Sequence, residues 1–185
     1  MAALTPRTAE LASLSRSGLY RAAQARRLER VARGIYLPAD ATPADWDMIE
    51  AATRRPDGTI CLISALAHHD LTDEIPAALD VAIPRGSRIP ATDAAIAWHS
   101  FDRATFELGR ELMPIAGTDQ VIGIYSPERS ITDAFRLRGA IGYEIARDAL
   151  REWLRRGGKP AHLIATATRI PRAKAPIMNA LEVLT

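Results

Sequence analysis

LTPRTAELASLSRSGLYRAAQARRLERVARGIYLP, residues 4–38, carries two helix signatures and a hairpin signature in one short run. Thr5 is a good N-cap residue and Pro6 suits a first helical position, so a short helix is expected from there to about Ala12. Ser13-Leu14-Ser15 follows as a turn, and Ser15 caps a second predicted helix that reaches about Arg27. Helical spacing puts Leu19, Ala22 and Ala23 on one face and Arg16, Ser17, Tyr20, Arg21, Gln24 and Arg27 on the others. LERVA and GIYLP then read as two short strands joined at Ala32-Arg33-Gly34, where Gly34 can take the positive φ a tight hairpin demands. Leu28, Val31, Ile35 and Leu37 are expected to face the core, with Arg30 and Arg33 outside. This order is the layout of a helix-turn-helix with a wing, whose second helix reads the major groove of DNA.

Charge supports the same reading. The 185 residues hold 24 basic and 22 acidic side chains, but seven arginines and only two glutamates fall in residues 1–37, a local balance of +5. The remainder, with 17 basic and 20 acidic residues, carries −3. A basic head on a slightly acidic body is the electrostatic footprint of a small module that meets phosphate.

Composition bounds the rest. With 48% hydrophobic and 25% charged residues the chain reads as a globular protein, long enough for one ordinary domain and a small appended one. Its apolar runs are far shorter than a membrane helix needs, and the N-terminus lacks the apolar core of a secretory signal, so a cytoplasmic protein with no membrane partner is expected. Cys61 is the single cysteine, which excludes an internal disulfide and a cysteine-rich zinc site; its neighbours Ile60, Leu62 and Ile63 predict a buried thiol.

Residues 1–38 thus form the expected head, Pro38-Ala39-Asp40-Ala41 a linker, and 42–185 a body able to fold alone. In the body, Thr42-Pro43 starts a predicted helix to roughly Arg55, closed by Pro56-Asp57-Gly58. Strands are expected at Thr59–Ile63, Leu79–Ile83 and Ala94–His99, near Thr105–Leu108 and Leu112–Ala116, and at Val121–Tyr125; Ser64 is expected to cap a brief helix to about His69. Ser126-Pro127-Glu128 is a strong helix start, and helices are predicted over Ser126–Arg138, Tyr143–Arg156, Pro160–Ala167 and Pro171–Leu184. Ile131, Ala134, Phe135 and Arg138 set the stripe of the first, Ile145, Ala149, Leu150 and Trp153 that of the second. The fold class is α+β: a winged head, mixed strands over 59–125, and a helical tail over 126–185.

The wing ARGIYLP, the ISALAHHDLTDEIP stretch, the strand and turn LDVAIPRGSR, and IYSPERSITDAF resemble, in this order and spacing, the AbiEi-like antitoxins of AbiE-type (type IV) toxin–antitoxin systems. The resemblance covers nearly the whole chain. It implies a winged head that represses its own operon at repeated promoter sites, and a C-terminal domain that counteracts a nucleotidyltransferase-like toxin. By residue, the DNA-facing role falls on Ser15, Arg16, Ser17, Tyr20, Arg21 and Gln24, joined by Arg27, with Arg30 and Arg33 on the wing. Winged heads of this type begin with a further helix, whereas only Met1–Leu4 precede Thr5, so that helix is expected to be missing from this sequence.

Candidates for chemistry are few. His68-His69-Asp70 has metal-ligand residue types, but adjacent helical residues point about 100° apart, so capping and packing are the expected roles. His99 and His162 have no companion at ligand spacing. A DNA-directed nuclease, or a toxin-modifying enzyme in the body, is the rival reading; a nuclease would need Asp80, Glu107 and Glu111 to converge on a metal ion. Arg85-Gly86-Ser87-Arg88 could cradle a phosphate but reads first as a hairpin turn. No catalytic residue, metal or cofactor is expected.

Overall fold

The computed structural model describes residues 4–5, 15–39 and 45–184. Apart from Thr5 and Ser15, the first predicted helix and the turn after it lie outside those residues, as does most of the linker.

Helix α1 (Arg16–Gln24) starts where the sequence places it, with the Ser15 hydroxyl accepting from the Gly18 amide. It ends three residues earlier than expected. Arg26 takes a left-handed φ of 52°, and the amides of Arg26 and Arg27 return to the carbonyls of Ala23 and Ala22, the double closure of a Schellman turn. Arg27 therefore leaves the helix and lies beside the hairpin.

Strands β1 (Leu28–Ala32) and β2 (Ile35–Pro38) form the antiparallel wing, with Gly34 at φ 77° in its turn. A bulge between Arg30 and Ala32 shifts the register, so Ala32 is buried in place of Val31, which is half-exposed. Leu4 pairs with Tyr36 through both of its backbone groups and extends the wing by one bridge. Leu19, Ala22 and Leu28 close a small core between α1 and the wing.

The body is a mixed five-stranded sheet in the order β5-β4-β3-β7-β6, made of β3 (Thr59–Ile60), β4 (Leu79–Pro84), β5 (Ile96–Phe101), β6 (Arg110–Pro114) and β7 (Val121–Tyr125). Helices α2 (Trp46–Arg54) and α3 (Leu62–His68) precede and follow β3. Asp45 is the N-cap residue of α2 and makes no side-chain cap hydrogen bond; the start expected at Thr42-Pro43 lies outside the described residues. Cys61 holds the N-cap place before α3 that the sequence assigns to Ser64, because the Ser64 hydroxyl is committed to Asp80 on β4. The strand expected over Thr105–Leu108 is a turn instead: the Asp102 carboxylate accepts from the Ala104 amide and starts a short 3-10 segment, Arg103–Thr105. β4 and β5 run parallel, so Arg85–Ser87 opens a crossover loop and is not a hairpin turn.

The tail comprises α4 (Pro127–Arg136), α5 (Arg138–Ile141), α6 (Tyr143–Arg155), α7 (Pro160–Arg169) and α8 (Lys174–Leu184). Ser126 caps α4 through the Arg129 amide, with Pro127 in the first turn. Ile131, Ala134, Phe135, Ala149, Leu150 and Trp153 meet residues of α7 and α8 in one core; Arg138, placed in that stripe by periodicity, is exposed because α4 ends at Arg136. Gly158 turns the chain beneath Trp153, where an added Cβ would come within 2.2 Å of the indole.

A second core lies between the sheet and α2, and the wing belongs to it. Ala32, Ile35 and Leu37 pack with Ile49, Ala52, Ile60 and Ile122. Residues 1–38 and 42–185 therefore share apolar surface across the linker that composition marks as a boundary.

Cys61 is fully buried, and burial pushes its thiol well above the ordinary range. The native protein should resist a disulfide reagent at mildly alkaline pH and react stoichiometrically once denaturant is added. Rapid labelling of the native protein would contradict the burial.

Candidate nucleic-acid interface

On α1 the residues not needed for packing form one continuous face. Ser17, Tyr20, Arg21 and Gln24 recur at the three- and four-residue spacing that stacks side chains on a helix, and all four are exposed, Tyr20 by 60%. The side chains are organised among themselves. Gln24 Nε2 donates to the Tyr20 hydroxyl at 3.0 Å, the Ser15 and Ser17 hydroxyls are 3.0 Å apart, and Arg21 Nε donates weakly to the Ser17 carbonyl at 3.4 Å. Arg16 opens the helix, but its side chain lies outside the described residues.

The early end of α1 brings Arg27 back toward Arg21. The two line a hollow of about 490 Å³ with Gly18, Ala22 and Leu28, and no carboxylate among the described residues lines it. Arg30 lies along its own strand, with Nε donating to the Ala32 carbonyl. Among the described residues of the head, Glu29 on β1 is the one carboxylate. The electrostatics are set by the exposed guanidiniums of Arg21, Arg27, Arg30 and Arg33.

The wing tip is anchored to the body, which sequence reasoning missed. The Arg33 amide donates to Asp93 Oδ2 at 2.6 Å, and Arg54 Nη2 donates to the Arg33 carbonyl at 2.8 Å. Both anchors converge on Glu50, which is buried: its carboxylate accepts from the amides of Asp93 and Ala94 and pairs with Arg54. Arg33, Arg54, Arg55, Arg88 and Asp93 line a hollow of about 560 Å³ at this junction. The adjacent Arg54-Arg55 doublet was the available signal, but nothing in the sequence ties it to a loop residue about forty positions away.

The structure also brings together three residues that spacing left apart. His99 Nε2 lies 2.8 Å from Asp80 Oδ1, and Ser64 donates from its amide and hydroxyl to Asp80 Oδ2, both at 3.3 Å. The carboxylate is the hub, so His99 is not in contact with the serine and cannot act as its base; the arrangement ties α3 to β4 and β5. His69 Nε2 meets the Tyr125 carbonyl at 2.8 Å, while burial lowers the pKa of neighbouring His68. Asp80 is not brought to Glu107 or Glu111. Glu111 is on β6, three strands from β4 in the sheet, a spacing of roughly 14 Å. Among the described residues no group of three or more His, Cys, Asp or Glu side chains is placed to hold a metal ion, and no helix is long and apolar enough to cross a membrane.

No family model matches this chain, and no curated protein does. Among solved structures the chain is similar to the crystal structure of the RV2827C protein from Mycobacterium tuberculosis, with a TM-score of 0.50 and 14% sequence identity over 98% of this chain and 90% of that one. At this identity the likeness concerns the fold alone.

Proposed function

We propose that this protein is a DNA-binding antitoxin that represses its own operon and counteracts a nucleotidyltransferase-like toxin. The observation that carries the DNA-binding half is the capped helix α1, whose free face bears Ser17, Tyr20, Arg21 and Gln24 beside the wing arginines in a head with one described carboxylate. A helix of this kind presents its first turns to base edges, while a wing lies along the sugar-phosphate backbone. Docking of the wing tip on Asp93 and Arg54 supports the same reading, because a fixed wing holds α1 at a fixed angle to the duplex and lowers the ordering cost of binding. The antitoxin half rests on the resemblance of the ordered motifs to AbiEi-like proteins.

Fluorescence anisotropy on the protein's own promoter and on a scrambled duplex tests the first half. Arg21→Ala should cost roughly 1–3 kcal/mol on the promoter and less on the scrambled DNA. Arg33→Ala should weaken both equally and make the salt slope shallower by about 0.9, the share of a single neutralised phosphate. Equal effects of Arg21→Ala on both duplexes would reduce it to a backbone-binding residue. An unchanged slope for Arg33→Ala would remove the wing from the interface.

A further inference from the structure

On the helical tail, far along the chain from the wing, Arg136, Arg138 and Arg172 line a hollow of about 750 Å³ with Tyr143, Pro176 and Asn179. No carboxylate among the described residues lines it. The hollow beside residues 70–74, also bordered by α6, is lined by six carboxylates against Arg151 and Arg156, so the carboxylate-free lining is local to the first hollow. The three arginines differ in what holds them. Arg136 is half-buried, pairs with Asp133 at 3.1 Å and lies 5.0 Å over the Phe101 ring, so it supplies fixed background charge. Arg138 is exposed and spends one donor on the Phe135 carbonyl at 2.9 Å, leaving the rest of its five-donor fork free. Arg172 is exposed in the turn between α7 and α8 and sits at φ 65°, a left-handed conformation that side-chain-bearing residues rarely adopt.

Two further features fit the same kind of ligand. Tyr143 is the first residue of α6, and Ala175 and Pro176 lie in the first turn of α8, so the positive ends of two helices of 13 and 11 residues border the hollow. The Tyr143 ring is held edge-on against Phe135 yet is 42% exposed, which leaves an aromatic surface available beside the cations, and the Asn179 amide offers one donor and one acceptor group. Guanidiniums recognise phosphate oxygens in pairs, and base–aromatic stacking tolerates any nucleobase. The volume lies within the range of small-ligand sites.

We propose that this hollow binds a nucleoside polyphosphate, with Arg138 and Arg172 on the phosphates, Tyr143 against the base, and Asn179 at the base or sugar. The site is independent of the DNA-binding face. The test is calorimetric titration of the full-length chain with ATP, inorganic triphosphate and adenosine. ATP should bind saturably and more tightly than triphosphate, and adenosine alone should give no signal. Arg138→Ala and Arg172→Gly should each weaken ATP binding about tenfold or more, the value of one charged hydrogen bond. Glycine is chosen at 172 because it suits the left-handed backbone, so melting temperature should be kept while the guanidinium is removed. Tyr143→Ala should bring ATP affinity down to that of triphosphate and leave triphosphate binding unchanged.

Promoter binding should be unaffected by Arg138→Ala, and ATP binding unaffected by Arg21→Ala with Arg33→Ala, which separates a failure here from a failure of the DNA reading. No saturable binding at millimolar ATP would overturn the proposal, as would ATP binding insensitive to Arg138 and Arg172. Equal affinity for ATP and triphosphate would overturn the assignment to a nucleotide. Binding of single-stranded RNA but not of ATP, abolished in the same variants, would replace it with a nucleic-acid strand.

Discussion

Replacing Arg129 with methionine should destabilise the protein by about 3 kcal/mol, the lower end of the cost of breaking a buried ion pair, because Asp133 keeps its second pair with Arg136. Arg129 is 1% exposed and Asp133 is equally hidden; Nε donates to Asp133 Oδ2 at 2.7 Å, and Nη1 donates to the Leu108 carbonyl at 2.7 Å and to the Thr105 carbonyl. The guanidinium also lies 4.3 Å over the Tyr125 ring. It therefore joins α4 to the turn before β6 and to the end of β7, and its removal leaves Asp133 with Arg136 alone, the Thr105 carbonyl with the Leu108 amide alone, and the Leu108 carbonyl without its guanidinium donor. A loss of this size is a large share of the roughly 5–15 kcal/mol that holds a typical domain. Arg129→Lys should recover only part of it, since a single ammonium nitrogen cannot reach Asp133 and both carbonyls from one point, nor lay a planar face over the ring. The paired change Arg129→Met with Asp133→Leu should be milder than Arg129→Met alone. The measurement is the urea midpoint of each variant at constant slope. A shift equivalent to under 1 kcal/mol for Arg129→Met would show that Arg136 alone satisfies Asp133.

This network was not legible in the sequence. SPERSITDAFR announces a capped helix, and Arg129 and Asp133 stand at i, i+4, which on a surface helix is an ordinary solvated pair. What buries them is the placement of α4 against the sheet, a tertiary fact. The same distinction runs through the head. The Ser15 cap, the Gly34 turn and the buried faces of Leu19 and Ile35 were readable, because caps, positive φ and helical periodicity are local chemistry. The early end of α1 was not, because Arg26 takes a place normally left to glycine. The wing bulge was hidden since it depends on pairing register rather than on composition.

The body divides in the same way. Val121–Tyr125 is a strand to the residue expected, and four of the five tail helices fall within a few residues of their predicted bounds, while the short α5 was not expected. Failures cluster where a polar side chain chose a tertiary partner over its local one. Ser64 leaves the cap of α3 for Asp80, and Asp102 turns the chain where periodicity suggests a strand. The parallel pairing of β4 and β5 was equally hidden, because the loop between them carries turn residues that also suit a hairpin. For the candidate interface, residues on α1 and the wing were nameable in advance, whereas Asp93, Arg54 and Glu50, which fix the wing, emerge only through long-range hydrogen bonds.

A chain shortened to residues 42–185 should lose most of its stability, although composition marks 38–41 as a linker and predicts that the body folds alone. Ile35 and Leu37 are fully buried against Ile49, Ile60 and Ile122, and burying each contributes about 1.5–3 kcal/mol. Removing the wing also uncovers the facing residues and leaves Arg54 and Asp93 without the Arg33 backbone. A chain beginning at Arg27 should behave differently, because it keeps both wing strands and, among the described residues, gives up the small cluster around Leu19 and Ala22 and the Leu4–Tyr36 bridge. The expected result is a urea midpoint near that of the full chain for 27–185, with slow labelling of Cys61, and a low midpoint, fast labelling and aggregation for 42–185. The longer fragment is then the right one for separating the two proposed roles: without α1 it should fail to bind the promoter, yet rescue growth when co-expressed with the cognate toxin. Equal stability of the two fragments would mean that the wing is merely laid on the body. Failure of a well-folded 27–185 to rescue growth would place the antitoxin activity, or its DNA-bound form, in the head.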